Sequence, residues 1–284
     1  MELLALKNRR MAWSWLIISL CTLCTLILLI TMLLILGYIL LEGIPGFTSE
    51  FFTQMPVPVG LSGGGVAHAI AGSCLLIGLA VLFGVPWGLL VGIFLSEYGQ
   101  HSLFGSLVRF TTDVLCGIPS ITAGIFIYTL VVINMNTFSA LAGGLALGIV
   151  MIPMVARNTE SILHLVPQNM REAAMALGIP NYRIILSIVL PNAFRGIGVG
   201  VSLALAGIVG DPVPLFFTSL SNNYWSLSLS QPIASLPMEI YRYSTAPFIV
   251  WHNLALTGAV VLIGLALVPL LLVRFLLPGY RIRR

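Results

Sequence analysis

SILHLVPQNMREAAMALGIPNYRIILSIVLP, residues 161–191, interrupts an otherwise oily chain with a polar segment. Strong helix formers fill Glu172 to Leu177, Gly178 suits the left-handed position just past a helix end, and Pro180 follows where a helix cannot continue. The pattern predicts a short helix, a turn between Leu177 and Asn181, and a second helical run from Tyr182 to Leu190 that Pro191 breaks. By periodicity alone the stretch is either a helical knob lying along a membrane surface, ready to insert into a groove on a partner, or an ordinary amphipathic loop.

The flanks of this segment call for a membrane. Of 284 residues, 58% are apolar and only 8% charged, with a mean hydropathy of +1.06, far outside the range of a soluble domain. A spanning helix needs roughly 20 mostly apolar residues. Runs of about that length are expected at about 16–41, 66–95, 109–133, 138–155, 193–209 and 251–275. They are continuous instead of alternating, which argues against a membrane β-barrel. The expected fold class is therefore all-α, a polytopic membrane protein with six transmembrane helices. One domain, 1–284, carries the polar segment at about 156–192 and a longer loop at about 219–249. The first run is too long for the apolar core of a signal peptide and ends without a small-residue cleavage site, so it reads as a retained span.

Charge placement orients the chain. Lys7, Arg9 and Arg10 precede the first span, and Arg274, Arg281, Arg283 and Arg284 lie at the end of the last. Arg157, Arg171, Arg183 and Arg195 cluster in or beside the polar segment, and only Arg242 falls on the opposite side by alternation. The positive-inside rule then places both termini and the polar segment in the cytoplasm. Trp13, Trp15, Tyr38, Trp225, Tyr241, Tyr243, Trp251 and Tyr280 fall near span ends, where amphipathic rings anchor at the headgroup level. Cys21, Cys24, Cys74 and Cys116 lie in apolar runs and the four histidines are scattered, so no metal site is expected. The one lysine, Lys7, is in no Gly-rich loop, so the chain has no Walker A site and is expected not to be an enzyme.

Two constellations are candidates for function. Arg109, Thr112, Asp113, Cys116 and Ser120 open the third span on approximately one helical face. Arg109 and Asp113, four apart, are placed to neutralise each other as a structural pair, or Asp113 and Ser120 line part of a translocation pathway. At the end of the fifth span, Gly210-Asp211-Pro212 predicts that the helix breaks and restarts, with Asp211 and Pro212 as cap and first residue. Such breaks occur where a helix faces protein or a water-filled cavity, which makes Asp211, with Arg109, Asp113 and Ser120, a candidate for lining the translocation pathway, and also at a lip on the membrane surface.

The segment EAAMALGIPNYRIILSIVLP resembles the EAA signature of ABC importer permeases at Glu172, Ala173, Ala174, Gly178, Ile188, Leu190 and Pro191. In that superfamily it couples the permease to its nucleotide-binding subunit, and the resemblance implies that role for these positions and a type I ABC importer permease fold. More specifically, SGGGVAHAIAGS, GIFLSEYG, VRFTTDVLCGIPSITAGIFIYTLVV, PLFFTSLSNNYWS and QPIASLPMEIY resemble the PstA family, permease subunits of bacterial phosphate-specific importers. That resemblance implies an inner-membrane subunit forming half of a phosphate pathway, with a PstC-like permease, two PstB-like ATPases and a periplasmic phosphate-binding protein, PstS. It also implies that no cofactor binds here and that ATP and Mg are used by the partner ATPase. One departure stands out: where the family usually reads Ala-Arg-x-x-Gly-Glu-Thr-Ala-Pro, this chain has Gly207, Asp211 and Pro212 in place of the arginine, glutamate and threonine. A glycine offers an anion none of the donors of a guanidinium. Other expectations stay open: a permease for molybdate or sulfate, a membrane partner in phosphate signalling, or a stand-alone channel or carrier.

Overall fold

A computed structural model describes residues 2–58 and 63–276; Ser62, Tyr280, Arg281, Arg283 and Arg284 lie outside the described residues. The described chain contains helices and irregular connections, with no strand among the described residues. In chain order the helices are α1 (Glu2–Gly43), α2 (Ser49–Thr53), α3 (Ala67–Glu97) and α4 (Leu103–Gly117). Next come α5 (Ser120–Met135), α6 (Ala140–His164), α7 (Gln168–Ala176) and α8 (Asn181–Val209). The last three are α9 (Val213–Phe216), α10 (Leu236–Thr245) and α11 (Ile249–Leu276). Five are long and apolar enough to cross a membrane, six if the bent pair α4 and α5 is one span. We call the end of the bundle that carries α7 the base and the end that carries α10 the crown.

Local chemistry sets most boundaries. The hydroxyls of Thr48, Ser102 and Ser139 accept from the amides of Phe51, Gly105 and Ala142, capping α2, α4 and α6. Asn136, at φ +53°, ends α5 in the left-handed conformation that Asn tolerates.

The bundle is organised around α3 and α6, which both run from crown to base and touch along their lengths. A Cβ at Gly88 would stand 2.6 Å from Val155 Cβ, and one at Gly92 2.6 Å from Thr159 Cβ. Only hydrogen at these positions lets two backbones approach so closely, and lipid-embedded helices gain their contact energy from such approaches. Parallel neighbours cannot be joined by a short turn, and α4 and α5 provide the return to the crown. Leu76, Ala80, Leu147, Met151 and Val155 form the core between them, with Ala204, Leu205 and Ile208 of the antiparallel α8 closing it. α1 packs beside α11, where Gly43 meets Leu256 and Val260.

At the crown, the segment after α8 folds over the start of α6. Ser139, Ala140 and Leu141 donate their amides to the carbonyls of Thr218, Gln231 and Leu229, each at 3.0 Å. The orphan donors of the α6 N-terminus are thus satisfied by backbone from a distant part of the sequence.

Several expectations are corrected. The third span is not one straight helix over 109–133: α4 and α5 meet at 101°. Ile118, at ψ 132°, is held extended by the ring of Pro119, so the helix cannot continue. Pro191 does not break α8, because the turn before it, Ile185–Val189, is a π-turn with i→i+5 bonding. The extra residue leaves room for a ring that has no N–H to give. The fourth span extends to His164, so residues 156–164 belong to the bundle and not to a loop. The loop at about 219–249 contains α10, and Tyr243 of that helix, expected at the headgroup level, is buried.

Candidate functional site

The base presents α7. Its end is a Schellman turn: Gly178, at φ +75°, donates to Met175 O at 2.9 Å, and Ile179 donates to Ala174 O at 3.3 Å. The turn between Leu177 and Asn181 falls where the sequence places it, and α8 starts directly after Pro180. Glu172 and Ala173 are exposed, as are the apolar Met175 and Leu177. Ala174 faces inward, 4% exposed, among Leu163, Val166, Ile184 and Val189. One helix therefore has an outward edge with a carboxylate and bare apolar groups, and an inward edge seated on the bundle. Leu190 and Pro191 lie in the turn of α8 that follows its π-turn, Leu190 half-buried against the base cluster and Pro191 exposed.

Arg171 shares the inward edge. Its guanidinium reaches Glu97 Oε1 at 2.8 Å and Oε2 at 3.3 Å, Val166 O at 2.7 Å and Leu163 O at 3.1 Å. The last two are carbonyls at and just beyond the C-terminus of α6, where a cation is favoured by the helix dipole.

Arg109 and Asp113 do not pair with each other. Arg109 binds Glu160 at 2.8 Å, Arg157 binds the other oxygen of Glu160 at 2.9 Å, and Asp113 binds Arg157 at 2.8 Å. Side chains one turn apart on α4 instead find complementary charges on the adjacent α6, and the four groups neutralise as a chain. The Glu160 side chain is 5% exposed, so its charge is compensated by two guanidinium groups. Ser120 lies beyond the bend and lines a cavity of about 360 Å³ with Ile118, Phe126 and Pro153, most of it apolar. The structure thus brings Arg109 and Asp113 into one clamp and leaves Ser120 and Asp211 apart from it. Sequence reasoning missed Glu160 and Glu97; Glu160 stands three residues after Arg157 beside an apolar run, a placement that asks for a partner.

At the crown, α8 ends at Val209 and Asp211 Oδ1 accepts from the amide of Val213 at 3.0 Å, so the break occurs as expected. The restart falls one residue later than expected, since the helix begins at Val213 with Pro212 and not Asp211 in the capping position. A Cβ on Gly207 would stand 3.4 Å from Met154 Cε, so this position faces a flexible thioether on α6.

The crown also buries Glu239, which is 0% exposed, between the Ser221 hydroxyl and the Arg242 guanidinium. Burial pushes its carboxyl above the usual carboxylate range, against the opposing pull of Ser221 and Arg242. A raised folded-state pKa means a stabilising contribution that is full below the unfolded value and is lost as pH rises through the folded value. Hydrogen exchange of residues 236–245, corrected for intrinsic rate, is expected to quicken as pH rises above the ordinary glutamate value of about 4.3, and Glu239→Gln to remove that dependence.

Comparison with known proteins fits this geometry. Residues 84–282 match the family described as binding-protein-dependent transport system inner membrane component. The phosphate transport system permease protein PstA of Yersinia pestis is 47% identical over 221 residues, covering 78% of this chain and 75% of its own. The chain belongs to the PstA family of permeases. The PstA protein of Haemophilus influenzae is 44% identical over 225 residues, covering 79% of each. Among solved structures, a chain of the MetNI methionine ABC transporter in an inward-facing form superposes with a TM-score of 0.57 at 19% identity, over 74% of this chain and 90% of that one. An amino acid ABC transporter chain gives 0.55 at 18% identity, over 73% and 90%. The fold is that of ABC importer permeases, and this PstA-family chain is a multi-pass membrane protein.

Proposed function

We propose that this chain is the permease subunit of an ATP-driven importer of inorganic phosphate, forming half of the translocation pathway and coupling to a separate ATPase through α7. The observation that carries the coupling role is the two-edged α7, with Glu172 and Ala173 offered outward and Arg171 and Ala174 seated inward. Phosphate as cargo is supported by the names of the family relatives. In this reading the base and both termini are cytoplasmic, and the crown faces the periplasm. A PstC-like permease completes the pathway, two PstB-like subunits bind and hydrolyse ATP with Mg, and a PstS-like binding protein delivers phosphate to the crown. ATP binding favours one arrangement of the ATPases, and α7 passes that preference to the helices.

ATP-dependent phosphate uptake by the four components in proteoliposomes tests the assignment, with molybdate and sulfate as competitors. Uptake that follows either competitor in place of phosphate overturns the cargo. Glu172→Lys reverses the exposed charge of α7, and Gly178→Pro imposes φ near −65° where the chain needs +75°. Each is expected to lower uptake by roughly tenfold or more, about 1.4 kcal/mol of coupling, while the chain still inserts. Uptake and ATPase stimulation at wild-type level in both variants sink the role of α7.

The missing arginine gives a separate test. Gly207→Arg places a guanidinium beside Met154 on α6, and a permanent positive charge on the pathway is expected to change the phosphate concentration at half-maximal uptake. An unchanged titration curve removes position 207 from the pathway.

A further inference from the structure

The geometry points to Arg171 as the residue that positions α7, acting through Glu97 and the end of α6 so that displacement of α7 is carried to α3 and α6 together; this rests on the coupling role proposed above. α7 is nine residues long and meets the bundle along a narrow inward edge, with Ala174 as its buried apolar contact and Arg171 one turn before it. A methyl group slides over an apolar surface; a forked guanidinium with four acceptors does not.

The four acceptors belong to two different helices. Both oxygens of Glu97 end α3, and the carbonyls of Leu163 and Val166 end α6. Glu97 is itself held, since the Ser96 hydroxyl donates to its Oε1 at 3.0 Å. Beside the ion pair a cavity of about 470 Å³ opens between α7 and the turn from α3 to α4, lined by Gln100, His101, Gln168 and Asn181 as well as Glu97 and Arg171. Packed side chains do not fill that space, so the separation of α7 from α3 is set by the bridge. The outward neighbour Glu172 receives a force from the partner, and Arg171 hands it to two helices already locked by the close contacts at Gly88 and Gly92.

The test uses the assembled complex in lipid nanodiscs, with Arg171→Gln, Arg171→Lys, Glu97→Gln and the double variant Arg171→Gln with Glu97→Gln. Three quantities are read: ATPase subunits retained on purification, hydrolysis without binding protein, and stimulation by phosphate-loaded binding protein. For a positioning residue, Arg171→Gln and Glu97→Gln keep their ATPase subunits and their basal hydrolysis within about twofold, while stimulation falls by roughly tenfold. Arg171→Lys, which keeps the charge and loses the fork, recovers part of it. The double variant is no worse than Arg171→Gln, because both changes break one bridge. Full stimulation in both single variants overturns the inference, and so does loss of the ATPase subunits from both, which marks a purely structural anchor. Independent, additive losses overturn it as well. A wild-type complex with no stimulation at all overturns the coupling reading itself, which separates the two failures.

Discussion

Gly88→Leu is expected to abolish accumulation of folded protein in the membrane. The new Cβ alone falls 2.6 Å from Val155 Cβ and 2.9 Å from Ile152 O, so the clash is with a β-branched side chain at its root and with backbone. Neither can rotate away. Relief requires α3 and α6 to separate, and the loss exceeds the roughly 1–3 kcal/mol of ordinary over-packing. Gly88→Ala brings the same first atom and is expected to lower thermal stability without eliminating the protein. Gly78→Leu is the control: it lies on the same helix with nothing within 4 Å of its Cβ, and it should accumulate normally. Equal yields of Gly88→Leu and Gly78→Leu, measured by fluorescence-detected gel filtration, remove the close contact from the account of stability.

Glu160→Leu is expected to cost about 1–3 kcal/mol, because the carboxylate is buried while the guanidinium groups it leaves behind are 30% and 40% exposed. Arg157 retains Asp113 at 2.8 Å, but Arg109 is left with one long contact, 3.4 Å to Leu95 O. α4 should then detach from α6 first, since the clamp ties it there from the side of its two charged residues. Thermal unfolding in detergent should show the loss, and limited proteolysis should cut near 99–103 sooner than in wild type. Glu160→Gln keeps hydrogen-bonding capacity and should fall between. If Glu160→Leu melts with the wild type, the clamp contributes nothing to stability.

The sequence was legible where structure is local. The helix of α7, the left-handed Gly178, the restart after Pro180 and the break at Gly210 each depend on residues within one turn of the feature, and each lies where the pattern puts it. Five of the apolar spans were legible too, because apolar run length is set by membrane thickness. What failed depended on distant partners or on a choice between two solutions to one constraint. Pro191 demands a defect, and a π-turn meets that demand as well as a helix end does. Pro119 demands one as well, and there the chain bends through 101°. The spacing of Arg109 and Asp113 fits a pair on one helix, yet the winning partners, Glu160 and Arg157, are 51 and 44 residues away. The EAA resemblance names Glu172 and passes over its neighbour Arg171, whose partner Glu97 lies 74 residues earlier and meets it only in the fold.

The three crown hydrogen bonds at the start of α6 set an order on how the protein is made. Ser139, Ala140 and Leu141 are synthesised about 80–90 residues before their acceptors Thr218, Leu229 and Gln231. During that interval the upper end of α6 carries three open donors, each worth roughly 1–3 kcal/mol if shut away from water. α6 can therefore enter the bilayer early but cannot settle at full depth until the segment after α8 has returned to cover it. Completion of the core is postponed to the last quarter of translation, and a chain that stalls before Thr218 carries, in those three bare amides, a mark of being unfinished.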